Sequence, residues 1–341
     1  MERFLKSRYK IGEKISENPY SVTYKGSFLG NDKPLVIKIY KRATLNSSLI
    51  SRMKEKVKTM VRLNHHGIVK LIDGDYGWQG FYYVREFVKG QSLKELIESG
   101  EKFELERSLP IIEEVCLVLE AAHTKGIIHG GLKPSNIFID KKGIVKVADF
   151  VIEGEIKQAM PQKVLSIMTD GKYTAPDELA GLPASSASDI FSLGMILHEI
   201  ALNKLPLSQF GLMGGLAKLR RRPMLSEEDV KDLPKYLQDV IAKALNKDPL
   251  LRFSTATEMR ESLEKKSLVL KARPLEDYIN LFDNTVTQYG AEELDKKSKP
   301  DLEERREKLN WGKEKHRYWI LGVVLLSIFF FALLYIFMFG W

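Results

Sequence analysis

Three polar residues and one gap set the chemistry this sequence has to explain. Asn136 and Asp149 stand thirteen positions apart across a hairpin pattern, "NIFID" and "VKVAD" joined by "KKGI". Together they offer two hard oxygen ligands. That suits magnesium, which takes few protein ligands and completes its shell with phosphates and water. Alone, Asp149 reads more simply as a turn former after a strand. Lys38 lies inside the run "LVIKIY" and, taken by itself, is a solvated edge charge. The gap is in "GIIHGGLKPSN", residues 126–136, where His129, Lys133 and Asn136 frame Gly130 and Gly131 with no acid among them. General acid–base catalysis contributes roughly 10²- to 10⁴-fold, and glycine can accept no proton.

Charge recognition is a second candidate chemistry. The chain has 341 residues and a net charge of +8, and Lys218, Arg220, Arg221 and Arg222 cluster in "LAKLRRRP". Such a cluster is ordinarily a solvated patch. If it binds, anionic lipid is the fitting partner. Nucleic acid is disfavoured as a partner because no base-reading motif accompanies the cluster. The single cysteine, Cys116, excludes an internal disulfide and the Cys-rich zinc sites. In "IIEEVCLVLEAAH" it reads as a buried helical thiol.

Residues up to about 88 read as strand-rich, with β-branched and aromatic runs bounded by turn residues. One helix interrupts them, "SLISRMKEKVKTMVRLNHH", with Leu49, Met53, Val57, Met60 and Val61 along an apolar face. Residues 89–268 are mostly helical in pattern, and 269–317 form a charged linker. From Tyr318 to Trp341 no residue is charged. As a helix this stretch spans roughly 36 Å, enough for a hydrocarbon core of about 30 Å. Trp319 and Trp341 fit an interfacial belt, and Lys313, Lys315 and Arg317 on its N-terminal flank predict a cytoplasmic bulk with a C-terminal anchor in the lipid bilayer. Signals would then arrive from the cytoplasm, the bilayer or a helix partner.

In order and spacing these motifs resemble a bacterial Ser/Thr protein kinase domain over residues 9–268. The resemblance implies an α+β, bilobal protein-kinase-like fold, with a β-rich N-lobe at 9–88, a helical C-lobe at 89–268 and a transmembrane helix at 318–341. "LVIKIY" resembles the strand that supplies the phosphate-binding lysine, which makes Lys38 that residue. "YYVREFVKGQSL" is similar to the hinge, so the backbones of Glu86 and Val88 would meet adenine, with Arg85 at the gatekeeper position. Lys133 would join the ATP-binding set. "VKVADFVIEGE" resembles the magnesium-binding D-F-G segment, giving Asp149 and Asn136 as metal ligands, with Val151 in place of the glycine. "KYTAPDELAG", "SASDIFSLGMILHE" and "KDPLLRFS" resemble scaffold motifs, with Asp189 supporting the catalytic loop and Arg252 pairing with Asp177.

The departures fall at the chemistry. The catalytic loop resembles H-R-D-L-x-x-x-N, but Gly130 and Gly131 replace the Arg and the Asp base. The Gly-rich loop is "SENPYSVT", without glycine, and Pro19 removes an amide donor. Ser16 and Ser21 hydroxyls are the available substitutes. The helical Glu that should pair with Lys38 falls on Lys56, with Glu55 turned about 100° away. Val36 adds methyls over the adenine position. A charge at Arg85 requires a partner or an exit to solvent. Asp170 is the one acid considered as a substitute base, and without Arg at Gly130 the hydroxyls of Ser166 and Thr169 lack a phosphate-docking partner. The expected function is a membrane-anchored pseudokinase, a scaffold or allosteric regulator binding an unidentified protein and tuned by ATP and magnesium. The alternative is a weak or unconventional Ser/Thr kinase, since phosphoryl transfer depends more on positioning than on a strong base.

Overall fold

The computed structural model describes residues 3–100, 103–150, 152–159, 171–206, 225 and 227–269. Asp170, Ser166, Thr169, Val151, the 218–222 basic cluster and the 318–341 segment lie outside the described residues, as does all but the first residue of the 269–317 linker. Among the described residues no helix is long and apolar enough to cross a membrane.

The N-lobe is a six-stranded antiparallel sheet in the order β1-β2-β3-β4-β6-β5, formed by Arg3–Leu5, Tyr9–Glu17, Ser21–Phe28, Pro34–Lys41, Leu71–Gly77 and Gly80–Glu86 for β1 to β6. Its central strands read as near-continuous apolar runs because both faces are covered: Leu35, Ile37 and Val84 pack on one side, and Tyr40, Phe81 and Tyr83 on the other. The register sets Val36 opposite Arg85 and Lys38 opposite Tyr83. Alternate residues of a strand share a face, so Lys38 and Arg85 emerge on the same side of the sheet.

Helix α1, Ser47–Arg62, starts at Asn46, whose side chain accepts from the Leu49 amide at 2.8 Å. Leu49, Met53, Val57 and Met60 are buried against the sheet. Val61, expected on that face, is exposed instead. It follows Met60 by one residue, about 100° around the helix, and Met60, three residues after Val57, takes the buried position in its stead.

Below the sheet, Gly90–Ser92 (β7), Ile137–Asp140 (β8) and Val145–Val147 (β9) form the small three-stranded sheet, whose β8–β9 pair is the expected hairpin. Gly143 turns it with φ +80°, a conformation glycine adopts without a Cβ penalty. The helices are Leu93–Glu98 (α2), Leu105–His123 (α3), Ile152–Ala159 (α4), Pro176–Leu179 (α5), Ser186–Leu202 (α6), Glu227–Val230 (α7), Lys235–Ala244 (α8) and Ala256–Glu264 (α9). Helix α6 is buried almost throughout its length, which explains why its middle, "IFSLGMIL", carries apolar residues around nearly the whole circumference. Cys116 is fully buried in α3, and burial pushes its thiol far above the usual range, so it is a packing residue.

A candidate phosphate site closed by its own carboxylate

The floor of the cleft is held by Asp189 at the start of α6. Its carboxylate accepts from the backbone amides of His129 (2.8 Å) and Gly130 (2.9 Å) and lies 2.8 Å from His123 Nε2. Burial would raise its pKa, but His123, His129 and the Gly130 amide outweigh that and hold it below the ordinary carboxylate value. The His129 ring bridges inward, with Nε2 at 3.0 Å from the Ala148 carbonyl and Nδ1 accepting from the Gly131 amide at 3.2 Å. That arrangement is the neutral tautomer, and burial keeps its pKa below the usual histidine value. Phe150 packs on the His129 ring at 4.4 Å between centroids. Arg252 Nη2 meets Asp177 Oδ1 at 2.6 Å, the pair expected from the sequence.

Above this floor sits a buried charge network. Lys38 Nζ lies 3.2 Å from Asp149 Oδ2 and 3.0 Å from Glu153 Oε1. Glu153 Oε1 also takes Lys133 Nζ at 3.1 Å, and its Oε2 lies 3.0 Å from the same nitrogen. Arg85 is buried, and its Nε forms an ion pair with Asp149 Oδ1 at 3.0 Å without hydrogen-bond geometry. Burial disfavours both carboxylates, yet the cations prevail: Lys133 and Lys38 pull Glu153 down to about 2, and Lys38 and Arg85 hold Asp149 well below the ordinary range. Burial also works against the Lys38 charge. The phenols of Tyr40 and Tyr83 and both carboxylates offset it, and the ammonium titrates well above its usual value.

The glycines of the catalytic loop now have a physical reason. A Cβ added at Gly131 would come within 2.7 Å of Glu153 Cβ and 2.8 Å of its Oε2. A Cβ at Gly130, where φ is +69°, would come within 2.9 Å of the Gly154 Cα. Gly130 therefore packs against the backbone of Gly154, and Gly131 against the side chain of Glu153, closer than a larger residue permits. The space an Asp side chain would fill at position 131 holds the Glu153 carboxylate instead. Sequence reasoning missed Glu153 and weighed only Asp170. The available signal was Ile152 and Ile156 at helical spacing after Phe150, both buried here, with an acid between them next to a glycine.

Helix α1 contributes no acid to Lys38. Glu55 is exposed and pairs with Lys58, while Lys56 and Arg52 reach Glu155 of α4 at 3.7 Å and 2.8 Å. The ion pair between α1 and Lys38 is thus absent, and Lys38 takes its acids from Asp149 and Glu153 instead. The turn between β2 and β3 is closed on itself: Asn18 Oδ1 accepts from the amides of Tyr20 and Ser21 and from the Ser21 hydroxyl, at 3.1, 2.7 and 3.1 Å. Ser21 is therefore engaged within the turn. At the hinge, Arg85 Nη1 donates to the Glu86 carbonyl at 3.3 Å, and Val88 packs with Val69 and Ala148. The Glu86 side chain pairs with Lys146 at 2.6 Å.

Lys38 and Lys133 converge on one buried anionic group, so an anionic phosphate fits there once Glu153 withdraws. Magnesium does not fit. Both Asp149 oxygens already face cations, Lys38 at 3.2 Å and the guanidinium of Arg85 at 3.0 Å. Asn136 Nδ2 donates to the Gly131 carbonyl at 3.0 Å, a bond that does not engage its ligand oxygen, so the misfit lies at Asp149. A dication there would meet repulsion from two buried cations that one carboxylate does not offset.

A twisted sheet over a helical lobe, with a strand lysine and a hairpin-borne Asn and Asp where they meet, is the protein kinase architecture. The chain belongs to the protein kinase family, whose protein kinase domain matches residues 9–264, and its relatives are bacterial Ser/Thr kinases. It is 27% identical over 262 residues to the serine/threonine-protein kinase PrkC of Bacillus subtilis, covering 76% of this chain and 40% of that one. It is 29% identical over 268 residues to the serine/threonine-protein kinase PknB of Mycolicibacterium smegmatis, covering 76% and 43%. The chain thus spans about two-fifths of the length of these curated relatives. The crystal structure of Rad53 1-466 in complex with AMP-PNP matches with a TM-score of 0.61 and 25% identity, over 74% of this chain and 63% of that one.

Proposed function

We propose that this chain is a pseudokinase: a kinase-fold scaffold or regulator that binds nucleotide and a protein partner, has lost phosphoryl transfer, and is anchored in a membrane through residues 318–341. The observation that carries the reading is the Glu153 carboxylate shared by Lys38 and Lys133 above Gly131. The two lysines that would grip phosphates hold an internal anion, and the acid that would orient an acceptor alcohol is replaced by glycine. The test is transfer of radiolabelled γ-phosphate by the full chain in detergent, to itself and to a generic protein substrate. Incorporation no higher than in Lys38→Met is the expected result. Incorporation that disappears in both Lys38→Met and Asp149→Asn overturns the reading. The uncharged stretch Tyr318–Trp341 supports the anchor. Co-flotation of the full chain with vesicles, lost on deletion of 318–341, is its expected signature.

One observation favours the alternative, an unconventional Ser/Thr kinase. Glu153 stands in the space of the missing base and carries Lys133 as its partner. On that reading Glu153 orients the acceptor hydroxyl, and Glu153→Gln lowers phosphate transfer by about 10²- to 10⁴-fold.

A further inference from the structure

The disagreement between Asp149 and magnesium has a positive side, found at Arg85. Register places Arg85 opposite Val36 and on the same face as Lys38. Its guanidinium is fixed from three directions. Nε faces Asp149 Oδ1 at 3.0 Å, Nη1 donates to the Glu86 carbonyl at 3.3 Å, and the group lies 5.3 Å from the centre of the Phe138 ring. A guanidinium does not lose its charge in proteins. It therefore stands at Asp149 as a permanent cation where a kinase of this fold admits a metal ion.

Counting formal charges sharpens the point. Lys38, Arg85 and Lys133 face Asp149 and Glu153, a surplus of one positive charge, and withdrawal of Glu153 raises that surplus to two. Free polyphosphate brings more negative charge than the same polyphosphate chelated to a dication. The surplus attracts either form, but Arg85 stands 3.0 Å from the Asp149 oxygen that a dication would need and repels only the dication. Without Arg85 the same group of side chains, with Glu153 in place, would be neutral, and that Asp149 oxygen would be open to a metal ion.

We infer that Arg85 takes the place of magnesium, and that the cleft binds a metal-free nucleoside polyphosphate whose phosphates displace Glu153 from Lys38 and Lys133. This rests on the nucleotide-binding part of the function proposed above. Arg85 is the residue that sets the preference, and Glu153 is the internal competitor. The adenine end would meet Val36 and the Val88 backbone, the positions that the family resemblance assigns to it, and both residues are buried.

The experiment is isothermal titration and thermal shift of the full chain in detergent, with ATP in excess EDTA and with ATP in excess magnesium. Wild type binds in EDTA at least as tightly as in magnesium. Glu153→Gln tightens binding in EDTA, and Arg85→Met weakens it by about tenfold or more, the scale of one charge-assisted contact, while making magnesium favourable. Wild-type binding that requires magnesium overturns the inference and leaves nucleotide binding standing. No binding in either condition, in wild type and in Glu153→Gln, overturns nucleotide binding itself and the inference with it. The wild-type comparison decides even where Arg85→Met does not fold.

Discussion

The floor of the helical lobe and the cleft above it are both held by buried ion pairs, and they differ in how those pairs are closed. On the floor each acid is matched locally: Asp177 with Arg252 and the Ser188 hydroxyl, Asp189 with His123 and two backbone amides. In the cleft Lys38, Arg85 and Lys133 share Asp149 and Glu153, and one of those acids stands on the short helix α4. The floor is a finished structure. The cleft holds an anion, the Glu153 carboxylate, that on the proposed reading a ligand would replace. A kinase fold is therefore preserved by contacts beneath the catalytic loop, while the residues around the reacting atoms are rebuilt.

The largest way to break this contrast is on the floor. Arg252→Ala leaves Asp177 buried without its cation and is expected to cost about 3–5 kcal/mol, read as a lower denaturation midpoint in urea. Gly131→Ala strikes the cleft and is expected to cost about 1–3 kcal/mol through overpacking on Glu153. The same change in a Glu153→Gly background costs much less. A double-mutant cycle measures that coupling; additive costs would show that Gly131 and Glu153 do not touch.

Acid sharpens the comparison further. The folded pKa of Glu153, about 2, lies below its ordinary 4.5. Its contribution is present above the ordinary value and is lost as pH falls from there toward about 2. Stability measured against pH in wild type and in Glu153→Gln diverges above that window and converges within it. Parallel curves would remove Glu153 from the ionised network. The smallest effect lies at the rim: Arg52→Ala breaks a half-exposed pair with Glu155 and costs less than about 1 kcal/mol.

Much of this was legible before any coordinates. Leu49, Met53, Val57 and Met60 announced α1 by their spacing, and the hairpin between Asn136 and Asp149 was marked by its turn residues. Motif order gave the pairing of Arg252 with Asp177 and the support of the loop by Asp189. The partners of Lys38 and Arg85 were not legible. Glu153 lies 115 positions from Lys38, and neither periodicity nor local spacing encodes a contact at that separation. The loss of an acid at Gly131 was visible, but its replacement by an acid from another segment was not.

The sequence by itself determined the family, the two lobes and the list of motif positions that kept or lost their chemical groups, because those depend on residue type and on neighbours along the chain. Only the tertiary structure decided that Gly130 and Gly131 are the complement of Glu153 and Gly154, and that Arg85 closes on Asp149. The reason is steric and electrostatic. A missing Cβ matters only for what lies against it, and a buried charge is defined by the partners that folding brings within about 3 Å.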